Sequence, residues 1–189
     1  EHVRAFDLGN TDSLDLLVSR GAELLLLEHR SGAELLLGAP STGRWAPSPL
    51  ELPRLPAPPA DLALVDFDHD GDLDLLVVGP FGARLFRNDG AAPRTDEQGV
   101  VTRGAFVDAS SEASLPSQGE LTWCCTEDFD NDHDVDLLLG GAETVHLMDS
   151  LRAGKFVDVA RAVLGDLRGL ARKPLVADVD GDARPDLFA

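Results

Sequence analysis

Through residues 61–111 short apolar runs alternate with abrupt polar breaks. They read "LALVDF", "DLLVVG", "ARLFRN" and "AFVDAS", separated by turns rich in Asp, Gly and Pro. Runs of this length, bounded by turn residues and lacking a 3.6-residue period, predict β-strands. The best helical candidate is the short stretch "LGDLRGLARK" at 164–173. The pattern therefore predicts an all-β chain built from four-stranded antiparallel units.

The breaks repeat. Aligned on Asp66, Asp128 and Asp178, three segments each place Asp at relative positions 1, 3, 5 and 9, and a Leu follows the ninth (Leu75, Leu137, Leu187). A fourth, eroded copy, "DLGNTDSLDLL", keeps Asp7, Asp15 and Leu16 but has Gly9 and Thr11 between them. Eleven residues past the ninth position stand Leu26, Leu85 and Leu147. An aromatic two residues after a Gly lies 21, 22 and 22 residues before each full loop: Trp45, Phe106 and Phe156. Loop spacings of 59, 62 and 50 residues place insertions such as "NDGAAPRTDEQGVVTR" in the connections.

Four-stranded units of this size fit β-propeller blades better than the shorter solenoid repeats. The units are 1–60, 61–120, 121–172 and 173–189, the last ending after its second strand at "DLFA". Residues 38–60 hold seven of the twelve prolines and read as a structured connection. About three and a half blades are too few for a ring of about four to eight. The expectation is a single fragment, 1–189, of a larger propeller. "EHVRAFDLGN" reads as the interior of a longer chain, with any export signal upstream.

Charge then changes the picture. The chain has 34 acids against 16 bases, net −18, which argues against nucleic acid and anionic membranes as partners. No apolar run approaches the ~18 residues of a membrane span. Fourteen of the acids are the Asp residues of the three loops, so the acidity is local. Such clustering destabilises a fold through self-repulsion unless a cation neutralises it.

Alternating carboxylates suit a hard cation with six to eight oxygen ligands at about 2.3–2.6 Å. The expected ligands are Asp66, Asp68, Asp70 and Asp74; Asp128, Asp130, Asp132 and Asp136; and Asp178, Asp180, Asp182 and Asp186. The backbone carbonyls of Asp72, Asp134 and Arg184 are expected to join them. Three Ca²⁺ sites follow, with the Asp7–Asp15 loop expected empty. Mg²⁺ favours stricter octahedral geometry and keeps its waters, and Zn²⁺ favours His or Cys. An EF-hand fails because position 12 is Val77, Leu139 or Ala189 instead of Glu. Position 6 favours Gly at its sharp turn, so Gly71 ranks the 66–74 site tightest over the loops with His133 and Ala183.

Other chemistry is sparse. Cys124 and Cys125 are adjacent and read as buried strand residues. The five His are scattered, and His69 and His133 occupy non-ligand loop positions, read as solvent-facing. Trp45, Trp123, Phe106 and Phe156 read as core more readily than as a sugar-stacking platform. No nucleophilic triad has spacing support, and with no Tyr and two Lys an enzyme reading, a polysaccharide lyase or hydrolase or its accessory domain, is the alternative.

"LVDFDHDGDLDLLVVG…RLFRNDG" followed by "GAFVDAS", and "DFDNDHDVDLLLGG" followed by "GKFVDVA", resemble FG-GAP/VCBS repeats. "LFRNDG" with F-V-D is similar to the cartilage acidic protein and ASPIC/UnbV-like group. The resemblance implies a calcium-stabilised propeller related to the integrin α-subunit head. It implies an extracellular, cell-surface or periplasmic location, with Ca²⁺ bracing the blades. The function expected is a non-catalytic scaffold for an unidentified protein or carbohydrate ligand.

Overall fold

The computed structural model describes residues 2–7, 14–29, 45–48, 52–89, 94–95, 101–102, 106–152, 154–182 and 184–189. The chain forms two compact units, Glu1–Pro58 with Asp89–Phe106, and Pro59–Asn88 with Val107–Ala189. Gly9, Thr11 and Ala183 lie outside the described residues.

The first unit holds one four-stranded antiparallel sheet, β1 (His2–Phe6), β2 (Asp15–Arg20), β3 (Glu23–His29) and β4 (Trp45–Pro47), in chain order. Alternation sets its faces: along β2, Asp15, Leu17 and Ser19 are buried and their neighbours half-exposed or exposed. The long insertion contributes a small ribbon, β8 (Arg94–Thr95) against β9 (Val101–Thr102).

The second unit carries the full repeats. Its first sheet comprises β5 (Asp61–Val65), β6 (Asp74–Gly79), β7 (Gly82–Asn88) and β10 (Phe106–Asp108). The next comprises β11 (Trp123–Glu127), β12 (Asp136–Gly140), β13 (Val145–Ser150) and β14 (Phe156–Asp158). A two-stranded hairpin, β15 (Leu175–Ala177) with β16 (Asp186–Phe188), follows. All-β sheets of four antiparallel strands, joined strand to neighbouring strand, are propeller-type blades.

β6 and β12 are buried along their whole length, so both faces must be apolar, and "DLLVVG" and "DLLLG" supply that. Alternate residues serve different cores. Leu137 and Leu139 join Leu76, Val78 and Leu85, while Leu138 joins Trp123, Val145 and Leu147, with Val176 and Leu187 packed against them. Each fully buried Leu contributes about 2 kcal/mol of transfer free energy.

Two expectations need correction. The helix, α1, spans Ala160–Val163, just upstream of 164–173. Gly165, at φ +66°, follows its C-cap and turns the chain out of the helix. Trp45, in the edge strand β4, is 41% exposed, its indole N–H donating to the Leu14 carbonyl. Trp123 and Phe156 are buried as expected, and so are Cys124 and Cys125, both free thiols in β11.

Candidate metal centre

Each full loop joins the first two strands of its sheet, so the acidic run is a hairpin turn held at both ends. Asp66 accepts the N–H groups of Asp70 and Gly71, each at 3.1 Å. Asp128 accepts those of Asp132 and His133, and Asp178 accepts that of Gly181. Asp70, Asp132 and Asp182 each accept the N–H two residues on, from Asp72, Asp134 and Arg184. These bonds curl the backbone and gather the carboxylates on its inner side.

The ninth residue does a second job. Asp74, Asp136 and Asp186 each accept the N–H of the loop's second residue, Phe67, Phe129 and Val179, at 2.9–3.1 Å. The other oxygens of Asp74 and Asp136 take the N–H fourteen residues on, Asn88 at 2.7 Å and Ser150 at 2.8 Å. Asp15 holds His29 at that same offset, 2.9 Å. The eroded copy thus keeps the carboxylate that pins a strand. Nothing in the Asp spacing distinguishes this role from ligation; the constant offset to Asn88, Ser150 and His29 was the available signal.

Three carboxylates converge in each full loop. One oxygen from each of Asp66, Asp68 and Asp70 lies within 4.8 Å of the others, and the same is true of Asp128, Asp130 and Asp136 and of Asp178, Asp180 and Asp186. Of the sequence-derived ligands, Asp74, Asp132 and Asp182 stand outside these triads. Asp74 is fully buried with both oxygens engaged, and Asp132 and Asp182 are engaged by backbone N–H groups.

The electrostatics test whether a cation fits. Burial, reinforced by Asp68 and Asp70, pushes the Asp74 carboxyl up to about 7 against two N–H donors. Burial with Asp130 and Asp149 raises Asp136 to about 6. Asp68 is raised by burial and by Asp70, and its Oδ1 is buried with no hydrogen-bond partner among the described residues. A buried carboxylate oxygen without a donor is costly to leave so. An all-oxygen, all-anionic donor set short of positive charge fits a hard divalent cation.

The backbone adds a feature of its own. Position 4 as well as position 6 is left-handed: His69 (φ 62°), Asn131 (φ 65°) and Gly181 (φ 79°), beside Gly71 (φ 89°) and His133 (φ 77°). Left-handed backbone costs most residues about 1–2 kcal/mol, Asn and Gly less. The 66–74 loop gains Gly71 but bears His69, so Gly71 alone no longer separates it from its neighbours.

His69 is exposed but not simply solvent-facing. Its Nε2 lies 3.1 Å from Oδ1 of Asp134, in the neighbouring loop, whose other oxygen accepts from Arg152. Asp134 is buried, and Arg152 also donates to the Asp132 carbonyl. Two consecutive loops are therefore tied through one carboxylate at position 7, where only a backbone contribution was expected.

Residues 128–189, which hold the loops starting at Asp128 and Asp178, match the family model of the FG-GAP-like repeat. No curated protein matches the chain. Among the described residues, no helix is long and apolar enough to cross a membrane.

Proposed function

We propose that this chain is a calcium-braced, non-catalytic propeller scaffold that presents a binding surface for an extracellular or periplasmic protein or glycan. The observation that carries it is the convergence of three carboxylates within 4.8 Å in three loops of one register. In this reading Asp66, Asp68 and Asp70, Asp128, Asp130 and Asp136, and Asp178, Asp180 and Asp186 form the inner ligand sets. Asp74, Asp132 and Asp182, with the carbonyls of Asp72, Asp134 and Arg184, complete the oxygen shells. Ca²⁺ cancels the repulsion within each loop and adds its binding energy to folding. Kinship with the integrin-like and ASPIC/UnbV-like repeats belongs to the same proposal.

A thermal melt with Ca²⁺, with excess EGTA and with Mg²⁺ tests it. The expected result is a large upward shift specific to Ca²⁺, with three ions bound per chain by calorimetric titration. An unchanged melting temperature sinks the bracing role.

A further inference from the structure

An open surface pocket of about 450 Å³ lies beside β13 and β14, at the end of the sheet away from its Asp loop, with its 161–168 side exposed. The loop end is marked by Asp136 taking the N–H of Ser150, at the close of β13. The cavity opens at the start of β13, where Val145 pairs with Gly140. His146, Asp158, Arg161, Asp166 and Arg168 supply its charged and polar lining, and Leu167 an apolar patch.

His146 Nδ1 lies 2.7 Å from Oδ2 of Asp158, whose Oδ1 accepts the N–H of Ala160. An ionised carboxylate can only accept, so Nδ1 carries the proton. With Nδ1 turned to Asp158, Nε2 is the ring nitrogen left to meet a ligand. The surroundings are a basic island in an acidic chain: residues 152–173 hold six Lys and Arg against two Asp, where the whole carries −18. Arg152 and Lys173 are engaged with Asp134 and Asp61. Arg161 and Arg168 make no ion pair among the described residues.

We propose that this cavity binds a small hydroxy acid of monosaccharide size, such as a uronate. Its donors and acceptors divide as such a ligand requires. Arg161 and Arg168, both exposed along its lining, each offer a guanidinium fork suited to a carboxylate, while the Asp166 carboxylate accepts from a hydroxyl and His146 Nε2 meets another. A neutral sugar leaves the arginines unanswered, and inorganic sulfate leaves the acceptors unanswered. The volume falls in the range of small-molecule sites, about 300–1,000 Å³. The inference rests on the binding-scaffold reading and names a ligand class for it, on residues separate from the metal triads.

The test is titration of the isotope-labelled full chain, in Ca²⁺, with glucuronate, glucose and inorganic sulfate, followed by NMR. Glucuronate is expected to shift resonances of residues 144–146 and 158–168. Glucose and sulfate should bind about tenfold more weakly or worse, as expected when charged hydrogen bonds are lost. The Arg161→Ala/Arg168→Ala double variant should lose roughly tenfold or more in glucuronate affinity. His146→Phe should bring glucuronate down toward sulfate. Both variants are checked for an unchanged melting temperature, and Thr144→Val serves as a second, milder probe of the cavity if either fails to fold. Sulfate or glucose binding as tightly as glucuronate overturns the proposal, as does an arginine double variant with wild-type affinity. A Ca²⁺-dependent melt without glucuronate shifts overturns this site alone, whereas glucuronate binding without Ca²⁺ stabilisation overturns the bracing role alone.

Discussion

Asp61 and Asp74 sit at the two ends of adjacent paired strands, β5 and β6, and both are almost inaccessible to solvent. Their carboxyls move in opposite directions. Burial pushes Asp61 upward, but the N–H groups of Cys124 and Leu62 and the Lys173 ammonium at 3.1 Å outweigh it, and the net shift is downward. Asp74 also has two N–H donors, yet its charged neighbours are Asp68 and Asp70, and it rises to about 7. Hydrogen bonds are common to both sites; the difference is the cation. At Asp61 the chain supplies its own, reaching from residue 173. At Asp74 the charged groups the chain brings nearest are further acids, Asp68 and Asp70, and no ammonium answers them among the described residues.

The sharpest way to break this comparison is Asp74→Ala. It strands the buried N–H groups of Phe67 and Asn88 and should cost about 3 kcal/mol or more, with or without Ca²⁺. Urea unfolding measures it; a loss confined to the Ca²⁺-loaded protein would mean that Asp74 is a ligand only.

Next in size is the pH dependence of metal-free protein. Asp74 and Asp136 bind a proton more tightly in the folded chain than in the unfolded one, so their contribution is fully present below the ordinary carboxyl range, near 4. It is lost as pH rises through about 6 and 7. Desalted apo protein should therefore melt several degrees higher at pH 5 than at pH 8, and saturating Ca²⁺ should remove or reverse that slope. A flat apo profile would show the loop acids to be uncrowded.

The smallest effect is expected at the other pole. Lys173→Met withdraws the cation from Asp61, but Lys173 is nearly half exposed and the Cys124 and Leu62 donors remain. A loss of about 1 kcal/mol is expected. Because the Asp61 carboxyl is held low, its stabilisation is present above the ordinary carboxyl range and lost as pH falls through the folded value. The variant should accordingly unfold at a higher pH on acid titration, and an unmoved acid transition would remove Lys173 from the balance.

Strand positions and loop register were legible because both are local: apolar runs between turn residues, and carboxylates at fixed offsets. Leu85 and Leu147 landed in the core as the repeat required. What stayed hidden depends on partners distant in sequence. Trp45 and Phe156 hold corresponding positions in edge strands, yet one is exposed and the other buried. The tie from His69 to Asp134 spans 65 positions, and that from Lys173 to Asp61 spans 112. The helix lies upstream of 164–173 because Gly165, left-handed just past Leu164, stops it.

The bond from Asp15 to the His29 N–H carries a consequence for the repeat as a unit. A repeat whose ninth carboxylate pins a strand on its own account can shed the acids at positions 3 and 5 and remain a folded unit. Pinning a strand and holding an ion are therefore separable properties of the repeat, and the sheet that starts at His2 shows the first without the full acid set needed for the second.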